Sequence, residues 1–225
     1  VYRFTKQAVE TLFNEGCQLV ILACNTASAK ALRTIQQRDL PQWDPARRVL
    51  GVIRPTVELM DKISKSKHVG ILGTTGTITS DSYSLEIKKM FPHTVTGEAC
   101  PMWVPLVENN EFDSPGADYF VRKHLEHILA ADPEIDTLVL GCTHYPLLIE
   151  KIKAFLPEGI TLFSQGEYVA ASLTDYLRRH PEMDIRLTKQ GNCRFLTTES
   201  AAKFSDAASV FLNHPVEVEQ IRLVE

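Results

Sequence analysis

The sequence predicts an α/β fold with mainly parallel sheets. Two observations carry that expectation. Apolar runs alternate with amphipathic stretches along almost the whole chain, which is the pattern of repeated strand–helix units. Several of the runs are continuously apolar rather than alternating, as strands covered on both faces are.

The elements follow in order. The chain opens inside a helical pattern, with Phe4, Ala8, Val9, Leu12 and Phe13 at helical spacing. Strands are predicted at 18–23 (QLVILA), 48–53 (RVLGVI), 68–73 (HVGILG), 136–141 (DTLVLG), 160–164 (ITLFS) and 193–197 (CRFLT). Helices are predicted between them. The first, 26–37, carries Ala27, Ala31, Leu32 and Ile35. Residues 55–64 begin with Pro55, which suits a first helical turn. Residues 80–91 begin at Ser80 or Asp81, both good N-caps. Further helices are predicted at 116–130, 145–156, 166–179 and 199–213. Loops are expected near 39–46, 92–96 and 157–160, and the stretch 101–108 (PMWVPLVE), with its two prolines, reads as a rigid loop.

Composition bounds the function. A chain of 225 residues, 44% hydrophobic and 23% charged, suits one large domain or two small ones. A net charge of −4 with scattered basic residues argues against a nucleic-acid surface, and the Lys-rich 62–67 (KISKSK) reads as a solvated helix end. No apolar run approaches the roughly 20 residues that span a bilayer. The five cysteines are odd in number and form no CxxC pair, so neither a disulfide framework nor a zinc ribbon is indicated. Reduced thiols in a cytoplasmic protein are expected.

Two stretches repeat one idea. LVILACNTAS (19–28) and TLVLGCTHYP (137–146) each run from a strand through a small residue to a cysteine and polar side chains that open a helix. Parallel sheets bind ligands beyond the carboxyl ends of their strands. A thiol at a helix start also meets unpaired N–H groups that favour its thiolate. Cys24 and Cys142 are therefore candidate acid/base groups, whereas Cys17, Cys100 and Cys193 are expected to fill space as buried cysteines do. Asn25, Thr26, Thr143 and His144 follow the two thiols and can bind a carboxylate or cap the helix. His144 can also tune a proton transfer. In 70–83 (GILGTTGTITSDSY), Gly70, Gly73 and Gly76 with Thr74, Thr75 and Thr77 form a strand-to-helix turn suited to a small anion. It matches neither a dinucleotide fingerprint nor a P-loop. Two thiols and several carboxylate-binding groups suit one reaction, removal of an α-proton from one face of an amino acid and its return to the other.

With these motifs, the sequence resembles the glutamate racemases of the cofactor-independent Asp/Glu racemase family. The resemblance rests on ACNTAS (23–28), GVIRP (51–55), GILGTTGTITS (70–80), CPMWVPLVE (100–108), LGCTHYPLL (140–148), FSQGEYVA (163–170) and FLTTE (195–199). It implies two pseudo-symmetric α/β lobes with the active site between them, a first lobe of 1–54 plus 165–225 and a second of 55–164. It implies racemisation of L-glutamate to D-glutamate for peptidoglycan, with no cofactor and no metal, in a cytoplasmic homodimer. It assigns Cys24 to D-glutamate and Cys142, assisted by His144, to L-glutamate. Asn25, Thr26, Thr74, Thr77 and Thr143 would hold the substrate, with Glu108 close by. The family's first strand and its Asp-Ser-Gly motif have no counterpart here, so about one fifth of the family's length is expected upstream of Val1, and a first lobe lacking that strand exposes a sheet edge.

Three alternatives stand beside this reading. Aspartate racemases share the two-thiol plan but carry Glu where this chain has His144. A thiol hydrolase uses one cysteine as nucleophile and leaves the second without a role. An inactive truncated form, acting as a binding module, is the third.

Overall fold

The computed structural model describes residues 1–189 and 191–223. The order is α1 (Tyr2–Asn14), β1 (Leu19–Leu22), α2 (Asn25–Lys30), α3 (Leu32–Thr34), a π-helical turn (Ile35–Asp39), α4 (Leu40–Trp43) and β2 (Arg48–Gly51). There follow α5 (Ile53–Val57), α6 (Met60–Ile63), β3 (His68–Gly73), α7 (Thr75–Ile78), α8 (Ser82–Met90), β4 (Thr94–Ala99), α9 (Trp103–Glu108), α10 (Pro115–Ala131) and β5 (Thr137–Gly141). The chain ends through a 3-10 turn (Tyr145–Leu148), α11 (Ile149–Phe155), β6 (Thr161–Phe163), α12 (Gly166–Arg179), α13 (Pro181–Asp184), β7 (Phe195–Thr197), α14 (Ala201–Leu212) and β8 (Val218–Gln220).

Every strand pair among the described residues is parallel. The central sheet has the order β4-β3-β5-β6, and two-stranded sheets β1-β2 and β7-β8 accompany it. Alternation along β3 and β5 divides the core. Leu72, Leu138 and Leu140 face the cluster under α9, α10 and α11, while Val69, Ile71 and Val139 face the cluster under α5, α6 and α8. All five residues of β5 are buried, and burying each of its large apolar side chains contributes about 1.5–3 kcal/mol. Gly70 is required by this packing: a Cβ there would lie 2.4 Å from Leu138 Cδ2. A third cluster joins α1, β1 and β2 through Val9, Phe13, Val20 and Val49.

Several sequence expectations are corrected. The predicted loop at 92–96 runs into β4, which among the described residues pairs only with β3 and whose residues are half-buried or exposed; a polar edge strand lacks the apolar run that marks an interior one. The stretch 101–108 is not a loop but carries α9, with Pro105 third in the helix, inside the first turn where its missing N–H breaks no bond. The first predicted helix continues past residue 37 to Trp43 through the π-helical turn. The helix from Pro55 is interrupted at Glu58–Leu59 and begins earlier, at Ile53. Asp81 occupies the N-cap of α8 but with a left-handed φ of 54° and no side-chain capping bond. Cys193 is exposed rather than space-filling, whereas Cys100 is buried as expected. Among the described residues, no helix is long and apolar enough to cross a membrane.

Candidate active site

The two cysteine motifs fold alike because each ends a strand whose next residues turn into a helix. Cys24 is the N-cap of α2, extended at φ −73° and ψ 124°, and its side chain is exposed. Its carbonyl accepts the first helical bond, from the Ser28 N–H, at 2.9 Å. Cys142 follows β5 directly, and its carbonyl accepts from the Tyr145 N–H at 3.2 Å. Burial pushes the Cys142 thiol up to about 11. The backbone N–H groups of His144 and Tyr145 oppose that by favouring the thiolate, while negative charge on Cys24 and Glu108 reinforces it. A negative charge on Cys24 is thus felt at Cys142 and disfavours its ionisation.

Behind Cys142 stands a short relay. His144 Nδ1 lies 3.8 Å from the Cys142 Sγ, and its Nε2 lies 3.2 Å from Glu108 Oε1. If Nε2–H donates to the carboxylate, Nδ1 is left as the acceptor that faces the thiol. Phe211 of α14 packs edge-on against the His144 ring, with centroids 5.9 Å apart.

Beside Cys24, three hydroxyls close a triangle. Thr26 Oγ1 lies 2.8 Å from Thr74 Oγ1 and 3.1 Å from Thr77 Oγ1, and Thr74 and Thr77 are 3.1 Å apart. Thr74 also caps α7, its hydroxyl accepting from the Thr77 N–H at 3.2 Å. The starts of α2 and α7, which follow strands of different sheets, thereby converge. Thr75 and Thr143 are exposed, Thr143 on the turn beside Cys142.

Asn25 sits differently from its sequence neighbours. It is 2% exposed, and its side chain is held in a buried network. Its Nδ2 donates to Gln165 Oε1 at 2.8 Å, and its Oδ1 accepts from the Tyr83 hydroxyl at 2.6 Å. Gln165 Nε2 donates in turn to Tyr83 OH at 2.7 Å and to Thr56 Oγ1 at 2.6 Å. Thr56 donates its hydroxyl proton to the Val52 carbonyl at 2.9 Å. Among the described residues, one Asn25 amide hydrogen stays uncommitted, since its nitrogen makes a single bond and carries two hydrogens. Sequence reasoning missed Tyr83, Thr56 and Gln165; the signal available was Gln165 itself, a polar residue at the turn from a strand into a helix.

A cavity of about 650 Å³ lies elsewhere, lined by Ile21, Leu50, Arg33, Arg54, Leu173 and Tyr176 among others. Neither thiol lines it.

The chain as a whole has counterparts among known proteins. The family model described as Asp/Glu/Hydantoin racemase matches residues 3–183. The chain belongs to this family. A glutamate racemase of Roseobacter denitrificans is 39% identical, the match covering 96% of this chain and 81% of that protein. The structure of a glutamate racemase isoform from Bacillus anthracis superposes with a TM-score of 0.87 at 32% identity, covering 99% of this chain and 80% of that one. A glutamate racemase of Francisella tularensis, solved in complex with D-glutamate, superposes with a TM-score of 0.82 at 28% identity over 100% and 80%. The racemase fold of two α/β lobes is therefore the fold of this chain.

Proposed function

We propose that the chain racemises glutamate by a two-thiol transfer of the α-proton, supplying D-glutamate for peptidoglycan. The observation that carries the reading is the placement of Cys24 and Cys142, each just past the carboxyl end of a parallel strand, with His144 Nδ1 3.8 Å from the Cys142 Sγ. Racemisation needs one base and one acid on opposite faces of a single carbon. Each turnover must leave one thiolate and one thiol, and the mutual repulsion of two thiolates enforces that count.

In this reading Cys24 removes the proton of D-glutamate, and Cys142 delivers a proton to the opposite face. A thiol held up to about 11 is protonated at neutral pH, so Cys142 is poised as the donor. For L-glutamate the roles reverse, and Cys142 must first lose its proton. His144 accepts it at Nδ1, and Glu108 stabilises the imidazolium at Nε2. The hydroxyls of Thr26, Thr74, Thr77 and Thr143 hold the substrate's carboxylates and amino group. Asn25 adds its uncommitted amide hydrogen and fixes the turn that carries Cys24. The lobes are 1–54 with 165–225 and 55–164. The protein acts in the cytoplasm as a homodimer.

The test follows racemisation of each glutamate enantiomer by circular dichroism. Cys24→Ala and Cys142→Ala are each expected to lower the rate by about 10³-fold or more, because acid/base groups supply roughly 10²–10⁴-fold and each direction needs both. Near-parental racemisation by Cys24→Ala overturns the two-thiol reading. A stable acyl adduct on either thiol, seen by mass spectrometry, supports the hydrolase instead. Turnover of aspartate in preference to glutamate assigns the other substrate.

A further inference from the structure

The geometry points to a second site at the edge of the central sheet: Glu98, His124 and His127 form a binding site for a divalent transition-metal ion, zinc above all. Glu98 lies on the edge strand β4, and the two histidines lie three residues apart on α10. That spacing puts both imidazoles on one helix face. Both address the same carboxylate oxygen. His124 Nδ1 lies 2.6 Å and His127 Nδ1 3.6 Å from Glu98 Oε1. One donor atom from each of the three residues fits within a 4.8 Å cluster.

A solvated carboxylate needs one histidine as a hydrogen-bond partner, so a single pair is the ordinary surface arrangement. A second imidazole turned toward the same oxygen is what a coordination site requires. Two imidazoles and one carboxylate make a three-ligand zinc set with the fourth position open to water. With bonds of about 2.0–2.2 Å, tetrahedral ligand atoms lie about 3.3 Å apart. The Glu98–His127 pair is within a few tenths of an ångström of that spacing, and the Glu98–His124 pair reaches it by a small rotation of the carboxylate.

The ligands are also held in place. The His124 side chain is 8% exposed, and its ring packs edge-on against Trp103 at 6.1 Å and against His127 at 6.2 Å. His127 is 57% exposed, which leaves the ion an open approach. A bound ion would tie the edge strand to α10 and stabilise the folded chain by mass action.

The experiment is zinc titration of the chelator-stripped chain by calorimetry, with cobalt(II) as a spectroscopic substitute. One equivalent of zinc is expected to bind and to raise the melting temperature. His127→Ala should weaken binding about tenfold or more and remove the thermal shift; being exposed, His127 can be replaced without disturbing the core. Absence of binding at millimolar zinc overturns the site, as does a titration unchanged by His127→Ala. A thiolate-to-cobalt charge-transfer band overturns it too, by placing the ion on a cysteine.

Discussion

At the scale of single residues, the two candidate thiols are unlike. Cys24 is exposed at a helix start, while Cys142 is 8% exposed and pushed up to about 11. The difference has a thermodynamic consequence. A thiol whose pKa is raised on folding keeps its proton in the native state after the unfolded chain has lost it. The native state then binds more protons, so stability is complete below the unfolded value of about 9 and falls as pH rises toward 11. A rise of that size corresponds to roughly 2–3 kcal/mol. Between pH 8 and 11 the parent chain should lose that much more stability than Cys142→Ala, measured by urea unfolding. Parallel losses in the two proteins would contradict the burial of this thiol. In the sequence, Cys24, Cys142 and His144 are marked as candidates by their short motifs, and Glu108 by the resemblance alone. Tyr83 and Thr56 are not, because the network partners they meet lie 58 and 109 residues away, and Gln165 is marked only by its place at a strand-to-helix turn.

At the scale of elements, the site depends on how closely α2 and α7 approach. Gly76 of α7 sets that distance: a Cβ there would lie 2.9 Å from Thr26 Cγ2. The Thr26 side chain is short, so its hydroxyl turns away with its methyl and the hydroxyl triangle opens. Gly76→Ala is expected to raise KM for both enantiomers about tenfold with a smaller change in kcat, the pattern of lost ground-state binding. Its stability should fall only slightly, since the helix preference of Ala over Gly, up to about 1 kcal/mol, offsets part of the cost of displacing Thr26. Steady-state kinetics beside a melting curve separates the two effects, and an unchanged KM would remove the triangle from substrate binding. The strands of the central sheet show which elements sequence can reveal. β3 and β5 were visible as apolar runs, because both faces are covered. β4 was hidden, because an edge strand of Thr, Gly and Glu satisfies only one neighbour. The helix α9 was hidden by Pro105, which its first turn tolerates, and by Pro101 just before it.

At the scale of the whole molecule, the buried network behind Cys24 joins segments that the chain visits far apart. Asn25 follows β1, Thr56 belongs to α5, Tyr83 to α8, and Gln165 caps α12 on the chain's return. Each contributes one side chain to the same cluster, so the cluster fixes the Cys24 turn against the elements around the central sheet. Tyr83 is central: its hydroxyl donates to Asn25 and accepts from Gln165. Burial also raises its ionisation well above the usual phenol range, so it stays a donor throughout neutral and mildly alkaline pH. Tyr83→Phe keeps the packing of a ring that is 3% exposed but strands one acceptor on Asn25 and one donor on Gln165. Buried groups without partners cost about 1–3 kcal/mol each, less what the two recover by rearranging. A loss of about 2 kcal/mol is expected, a fall of roughly 4–8 °C in melting temperature for a chain of this size. Because the freed amide of Asn25 no longer fixes the Cys24 turn, kcat should fall for both enantiomers while zinc binding at Glu98 and His127 stays unchanged. A variant that melts lower yet keeps its full kcat would show that the network holds the fold together without positioning the thiol.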